Sequence, residues 1–258
     1  MSLIENSTPE IENSTPETGR AGPGAQATWL GRVDASLEKS LERNTRVLPK
    51  GTNLILEGQE VHSIFLVKSG WLAASKSLPD GERQIVEIIL PGEIHDPVSA
   101  DGHTSFVTLE TLSETQVIVI GTTAWARLLD DLPDLRHFKE RADAAARSRQ
   151  SERILRLGRS SAEARIAYVL IEFCMRTAAI GATGGDGTFH VPLGQQQLAE
   201  FTGLSAVHVC RTLRRLNRNG LITTGDHMDI EILDMRPLAA LAGVDLDALR
   251  REIIPGAA

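Results

Sequence analysis

Apolar positions along the chain change their spacing several times, and each change marks a boundary. Over residues 29–43 they recur at helical intervals and predict a short helix. Over residues 47–120 they gather in short runs: Leu54-Ile55-Leu56, residues 63–72, Ile85 to Leu90, Phe106 to Leu112 and Gln116 to Ile120. Pro49, Gly51, Gly58, Pro79, Gly81, Pro91 and Gly92 punctuate these runs. Many short strands between such turns predict a β-sandwich or barrel.

Helical spacing then returns. Residues 122–132 predict a helix capped by Thr122 or Thr123, and Pro133 restarts a longer one that runs to about Gly158. Along it Leu135, Phe138, Ala142, Ala145, Arg149 and Glu152 alternate by three and four, which predicts a heptad-like seam between two copies of the chain. The alternative is a helix packed on its own β-domain. Residues 164–175 form a strongly apolar helix with a core stripe of Ile166, Leu170, Phe173 and Cys174. A glycine-rich loop over 180–187 and a short strand over 189–193 follow, and residues 238–253 predict one last amphipathic helix.

The most informative stretch is 195–222. One run carries Leu198, Ala199 and Phe201, the next Val209, Leu213 and Leu216, and Thr202-Gly203-Leu204-Ser205 joins them. Gly203 suits the left-handed turn between two helices, and Ser205 is a ready N-cap for the second. A turn at 223–227 and an alternating strand at Asp229-Ile230-Glu231-Ile232 complete a winged helix-turn-helix. The second helix holds Arg211, Arg214, Arg215 and Arg218, with no acid from Ser205 to Thr224, in a chain of net charge -7. Such a local basic run is what phosphate contacts require.

The chain has 258 residues, 41% of them hydrophobic, which suffices for two modest domains. Its two cysteines, Cys174 and Cys210, fall in different helices, so neither a disulfide framework nor a metal-ligand spacing is expected, and no metal. Without an apolar run of about eighteen residues or a basic start before an apolar segment, neither a membrane span nor a secretion signal is expected, and a cytoplasmic location is. The first residues repeat IENSTPE at 4–10 and 11–17; Pro9 and Pro16 exclude a continuous helix, and a disordered tail is expected. The domain plan is therefore a tail over 1–28, a β-class domain over 29–121, helices over 122–158, a winged helix-turn-helix over 159–235 and a C-terminal helix over 236–258, an α+β chain.

Five pieces in this order resemble the Crp/Fnr family of bacterial transcription regulators: Lys68-Ser69-Gly70, Leu78-Pro79-Asp80-Gly81, Leu90-Pro91-Gly92-Glu93, the 161–167 run SAEARIA and the 207–213 run VHVCRTL. The resemblance implies a jelly-roll-like β-roll that senses a small molecule, a long dimerisation helix, and winged helices that bind a palindromic operator as a homodimer, with RNA polymerase as a further partner. It places the effector pocket around Gly92, Glu93, His95, Asp96, His103 and Thr104.

The departures narrow the effector. The Gly-Glu pair of cyclic-nucleotide binders falls on Asp96-Pro97, the phosphate-binding arginine on His103, and no arginine lies between Arg83 and Arg127. A phosphodiester without a guanidinium partner is poorly stabilised, so cyclic AMP is not expected and the effector is unassigned. No cysteine precedes Cys174, which argues against the family's iron–sulfur branch; His62, His95 and His103 match no haem-ligand pattern; and the close His-x-His motif of a cupin enzyme is missing. No catalytic arrangement stands out, and an enzyme is not expected.

On the recognition helix the resemblance gives Arg211 the base-reading role, with Ser205 and His208 in the first turn and Arg214, Arg215 and Arg218 on phosphates. Cys210, beside Arg211, is a candidate redox switch or simply a packing residue. Two other readings stay open: an effector-independent DNA binder, and a β-roll module acting on a protein partner.

Overall fold

The computed structural model describes residue 29 and residues 35–183, 188–225 and 229–256. The duplicated tail, the tip of the glycine-rich loop and the wing turn at 226–228 lie outside the described residues.

Helix α1 (Ala35–Glu42) precedes eight strands: β1 (Thr45–Leu48), β2 (Asn53–Ile55), β3 (Ser63–Ser69), β4 (Leu72–Ser77), β5 (Arg83–Ile89), β6 (Ile94–His95), β7 (Thr108–Thr111) and β8 (Thr115–Gly121). They form two antiparallel sheets, ordered β1-β8-β3-β6 and β2-β7-β4-β5. Strand β3 is buried on both faces, which is why its sequence is continuously apolar rather than alternating. Phe65 and Val67 point into the roll with Leu72, Leu109 and Val117. Ile64 and Leu66 point outward, against Trp125, Leu135 and Phe138. The single strand expected over 63–72 is broken at Gly70, where φ is 76° and a Cβ would stand 2.3 Å from the Glu114 carbonyl oxygen.

Helix α2 (Thr122–Asp131) starts after Gly121 with no side-chain cap, so neither Thr122 nor Thr123 caps it. Helix α3 (Pro133–Arg159) begins on its proline as expected. The seam expected on α3 is corrected. Leu135 and Phe138 sit in the outer core of the chain's own roll, and Arg149 is buried against Glu87 and the Ile253 carbonyl. A stripe spaced three and four packs equally well on a sheet or on a second helix, and here the β-roll fills that role. The face turned outward instead carries Ile154 and Leu155, 68% and 56% exposed.

Helix α4 (Ala162–Ala179) is capped by Ser161 and buries Ile166, Leu170 and Phe173 as expected. Strand β9 (Phe189–His190) is shorter than the 189–193 run. After helices α5 (Gln195–Thr202) and α6 (Ala206–Arg218), strands β10 (Ile222–Thr224) and β11 (Asp229–Ile232) join β9 in a sheet ordered β10-β11-β9. The single C-terminal helix expected over 238–253 is two, α7 (Met235–Ala242) and α8 (Leu246–Ile253). Gly243, with φ 68°, ends the first, and Asp245 caps the second.

The roll and the helical half share a charged junction. Strand β5 lies at a sheet edge, and guanidinium groups cover its open carbonyls: Arg153 Nη2 donates to Val86 O at 3.1 Å and Arg176 Nη2 to Ile88 O at 2.6 Å. Arg153 also donates to Glu87 at 2.7 Å and to Glu172 at 3.0 Å, with its guanidinium over the Phe201 ring. Arg156 donates to the Ala242 carbonyl and lies over Tyr168. Buried charges are tolerated only when paired in this way.

Candidate nucleic-acid interface and adjoining cavity

The turn between α5 and α6 is as the sequence requires. Gly203 adopts φ 63°, and a Cβ there would stand 2.6 Å from Leu157 Cδ2. Ser205 Oγ accepts the His208 amide at 3.3 Å and lies 3.2 Å from His208 Nδ1. Both residues are exposed, but they contact each other, so Ser205 serves first as the cap that orients α6.

Helix α6 buries Val209, Thr212, Leu213 and Leu216. Its other face exposes Val207, His208, Arg211, Arg214 and Arg218. Together with Cys210, Thr224 and Gly225, the arginines line an open cleft beside the wing that has no acid among its described lining residues. Arg215 differs from its neighbours, because it is ion-paired to Glu163 at the start of α4. Part of its charge is thus already answered inside the chain. Cys210 is partly buried at the cleft wall.

A second feature lies behind the roll. A cavity of about 230 Å³ is walled by the roll, by α3, by the end of α4 and by the segment after α8. Of the pocket residues expected from the sequence, Glu93, His95 and Asp96 line it; Gly92, His103 and Thr104 do not. Gly92 instead forms the turn before β6, with φ 81°. His103 and Thr104 belong to a loop clasped by Asp101, which accepts both their amides and the hydroxyls of Thr104 and Ser99. Those bonds, the Thr104 hydroxyl above all, hold the Asp101 carboxyl below the usual carboxylate range.

The absence of arginine between Arg83 and Arg127 proved a poor guide to this cavity, because Arg147, Arg149 and Arg176 reach it from the helices. A signal did exist. Arg149, Arg153 and Arg156 continue the inward stripe of Leu135, Phe138, Ala142 and Ala145 in further steps of three or four residues. Burial raises the Glu87 carboxyl, but Arg153, Arg149 and Arg176 outweigh it and hold the pKa at about 2. Burial keeps His95 below the ordinary imidazole value, against the opposing pull of Glu87, Asp96, Glu93 and Asp143. Among the described residues no cluster could hold a metal ion, and no helix is long and apolar enough to cross a membrane.

Comparison with known proteins agrees with this geometry. Residues 164–241 match the model of the Crp-like helix-turn-helix domain and residues 45–131 that of the cyclic nucleotide-binding domain. Transcriptional activator protein FnrA of Stutzerimonas stutzeri is 30% identical over 85% of this chain and 88% of that protein. Transcriptional activator protein anr of Pseudomonas aeruginosa is 30% identical over 82% and 85%. The structure of FixK2 from Bradyrhizobium japonicum superposes with a TM-score of 0.69 at 20% identity, covering 78% of this chain and 98% of that one.

Proposed function

The chain belongs to the Crp/Fnr family of transcription regulators, and on that premise we propose that it acts as a homodimer reading a palindromic operator with two copies of α6, biased by a small molecule held beside the roll. That it is a DNA-binding regulator follows from the family; the dimer, the operator contacts and the effector are this reading's own.

One observation carries it: the exposed, acid-free face of α6 with Arg211, Arg214 and Arg218. Arg211 is the residue placed to read a guanine edge, while Arg214 and Arg218 sit where phosphates run. Arg215 contributes less, being paired with Glu163. The outward face of α3, with exposed Ile154 and Leu155, supplies the dimer contact in place of the seam that the roll covers. Two related regulators named as activators support activation, through contact with RNA polymerase. The effector is a molecule other than cyclic AMP: Pro97 offers no acceptor side chain, and His103 does not line the cavity.

Selection of duplexes from a random pool by the purified chain, at low salt, tests the reading. A twofold-symmetric motif should be enriched. No affinity for any duplex would overturn it.

A further inference from the structure

The cavity behind the roll is short of acceptors rather than of charge. Each acid on its wall is already committed. Glu87 takes Arg153 at 2.7 Å, Glu93 takes Arg176 at 2.6 Å, Asp143 takes Lys139 at 2.7 Å and Asp96 takes the Val98 amide at 3.1 Å. Arg176 is committed too, to Glu93, Glu172 and the Ile88 carbonyl.

Arg149 is not. Its side chain is 5% exposed, and its nearest carboxylate oxygens, on Glu87 and Glu172, stand 3.5 and 3.8 Å from Nε. Nη1 donates to the Ile253 carbonyl at 3.3 Å, while the buried Nε has no hydrogen-bond acceptor among the described residues. On the roll side, His95 Nε2 is also buried without a hydrogen-bond partner among the described residues. A buried N–H left without a hydrogen bond is costly, and a carboxylate is the group whose paired oxygens match a guanidinium fork. The rest of the wall is largely apolar, with Ile89, Phe106, Phe138, Ala146, Ile180 and Ile254.

We infer that this cavity binds a small monocarboxylate with an apolar body, its oxygens on Arg149 and His95 Nε2 and its hydrocarbon part against Phe106, Phe138 and Ile180. The inference rests on the reading of an effector beside the roll and names its chemical class. At about 230 Å³ the space falls below the roughly 300 Å³ where drug-sized pockets begin, which sets the ligand at metabolite size. Because Ile253 belongs to α8 and Arg149 to α3, a carboxylate that draws Arg149 from the Ile253 carbonyl acts on the joint between sensor and DNA-binding halves. Differential contact of this kind is what biases a conformational equilibrium.

Thermal unfolding of the full chain with propionate, isovalerate, benzoate and phenylacetate, each against its neutral amide, tests this. At least one acid should raise the midpoint saturably while its amide leaves it unchanged. Arg149→Gln should weaken that acid more than tenfold. Ala146→Leu, which fills the cavity and keeps every charge, should do the same and decides the matter should Arg149→Gln fold poorly. No saturable shift with any of the acids, equal shifts with acid and amide, or undiminished binding in Ala146→Leu overturns the inference. A small-molecule filtrate of bacterial lysate separates the two readings. A shift with the filtrate alone removes the carboxylate and keeps an effector, whereas silence with filtrate and acids alike removes both.

Discussion

Arg153 of α3 and Glu87 of β5 meet at 2.7 Å, and neither side chain is more than 7% exposed. The pair ties the linker helix to the roll at a point where Glu172 of α4 also converges. Arg153→Met would leave two buried carboxylates short of counter-charge. The expected loss is about 3–5 kcal/mol in urea unfolding. The double variant Arg153→Met, Glu87→Gln should recover part of it, because a neutral amide needs no cation. A loss below about 1 kcal/mol in the single variant would mean that the junction is not structural.

Stability should fall in acid in two windows. His95 has its folded pKa below 6.5, so the unfolded chain binds the proton more readily and stability declines as pH drops below 6.5. Glu87, at about 2 against an ordinary 4.5, contributes fully above 4.5 and loses its contribution as pH falls towards 2. A lowering of that size corresponds to on the order of 3 kcal/mol. Urea midpoints measured against pH should lose the upper step in His95→Gln and the lower one in Glu87→Gln.

Arg211→Ala should cost about 1–3 kcal/mol on the selected operator and little on unrelated duplex, flattening the preference at one base position. Arg214→Ala should weaken all sequences alike and reduce the salt slope by about 1. Anisotropy titrations over a salt series distinguish the two, and an unchanged base preference in Arg211→Ala would remove its assignment.

Cys210 lines the basic cleft one residue before Arg211. Oxidation to a sulfinate would place negative charge at the DNA face and weaken binding. Gel-shift affinity should drop after peroxide treatment of the native chain and stay constant in Cys210→Ala. Equal affinities with and without peroxide in the native chain would leave Cys210 a packing residue.

The helix-turn-helix was legible because its signals are local: a glycine that must turn left-handed, a serine that must cap, and arginines on the face that Val209, Leu213 and Leu216 leave free. The alternation of β3 was not, since burial on both faces erases it. The seam on α3 was misread for a different reason. Spacing reports that Leu135, Phe138, Ala142 and Ala145 face something apolar, but not whether that surface belongs to the same chain. Arg149 was placed in the stripe without the acids that meet it, because these come from β5 and α4, far along the chain.

Leu155→Arg should convert a dimer to a monomer in sedimentation velocity without changing the unfolding midpoint by more than a degree or two, since Leu155 is 56% exposed within one chain. A dimer that survives the substitution would move the contact elsewhere.

The covering of β5 has a last consequence. The roll does not close its second sheet with another strand; side chains from α3 and α4 stop the open edge at Val86 and Ile88. A β-roll expressed without those helices would offer a bare strand to its neighbours, and self-association by edge pairing is the fate expected of such a fragment. The roll is therefore kept from edge pairing by the very helices that connect it to the helix-turn-helix.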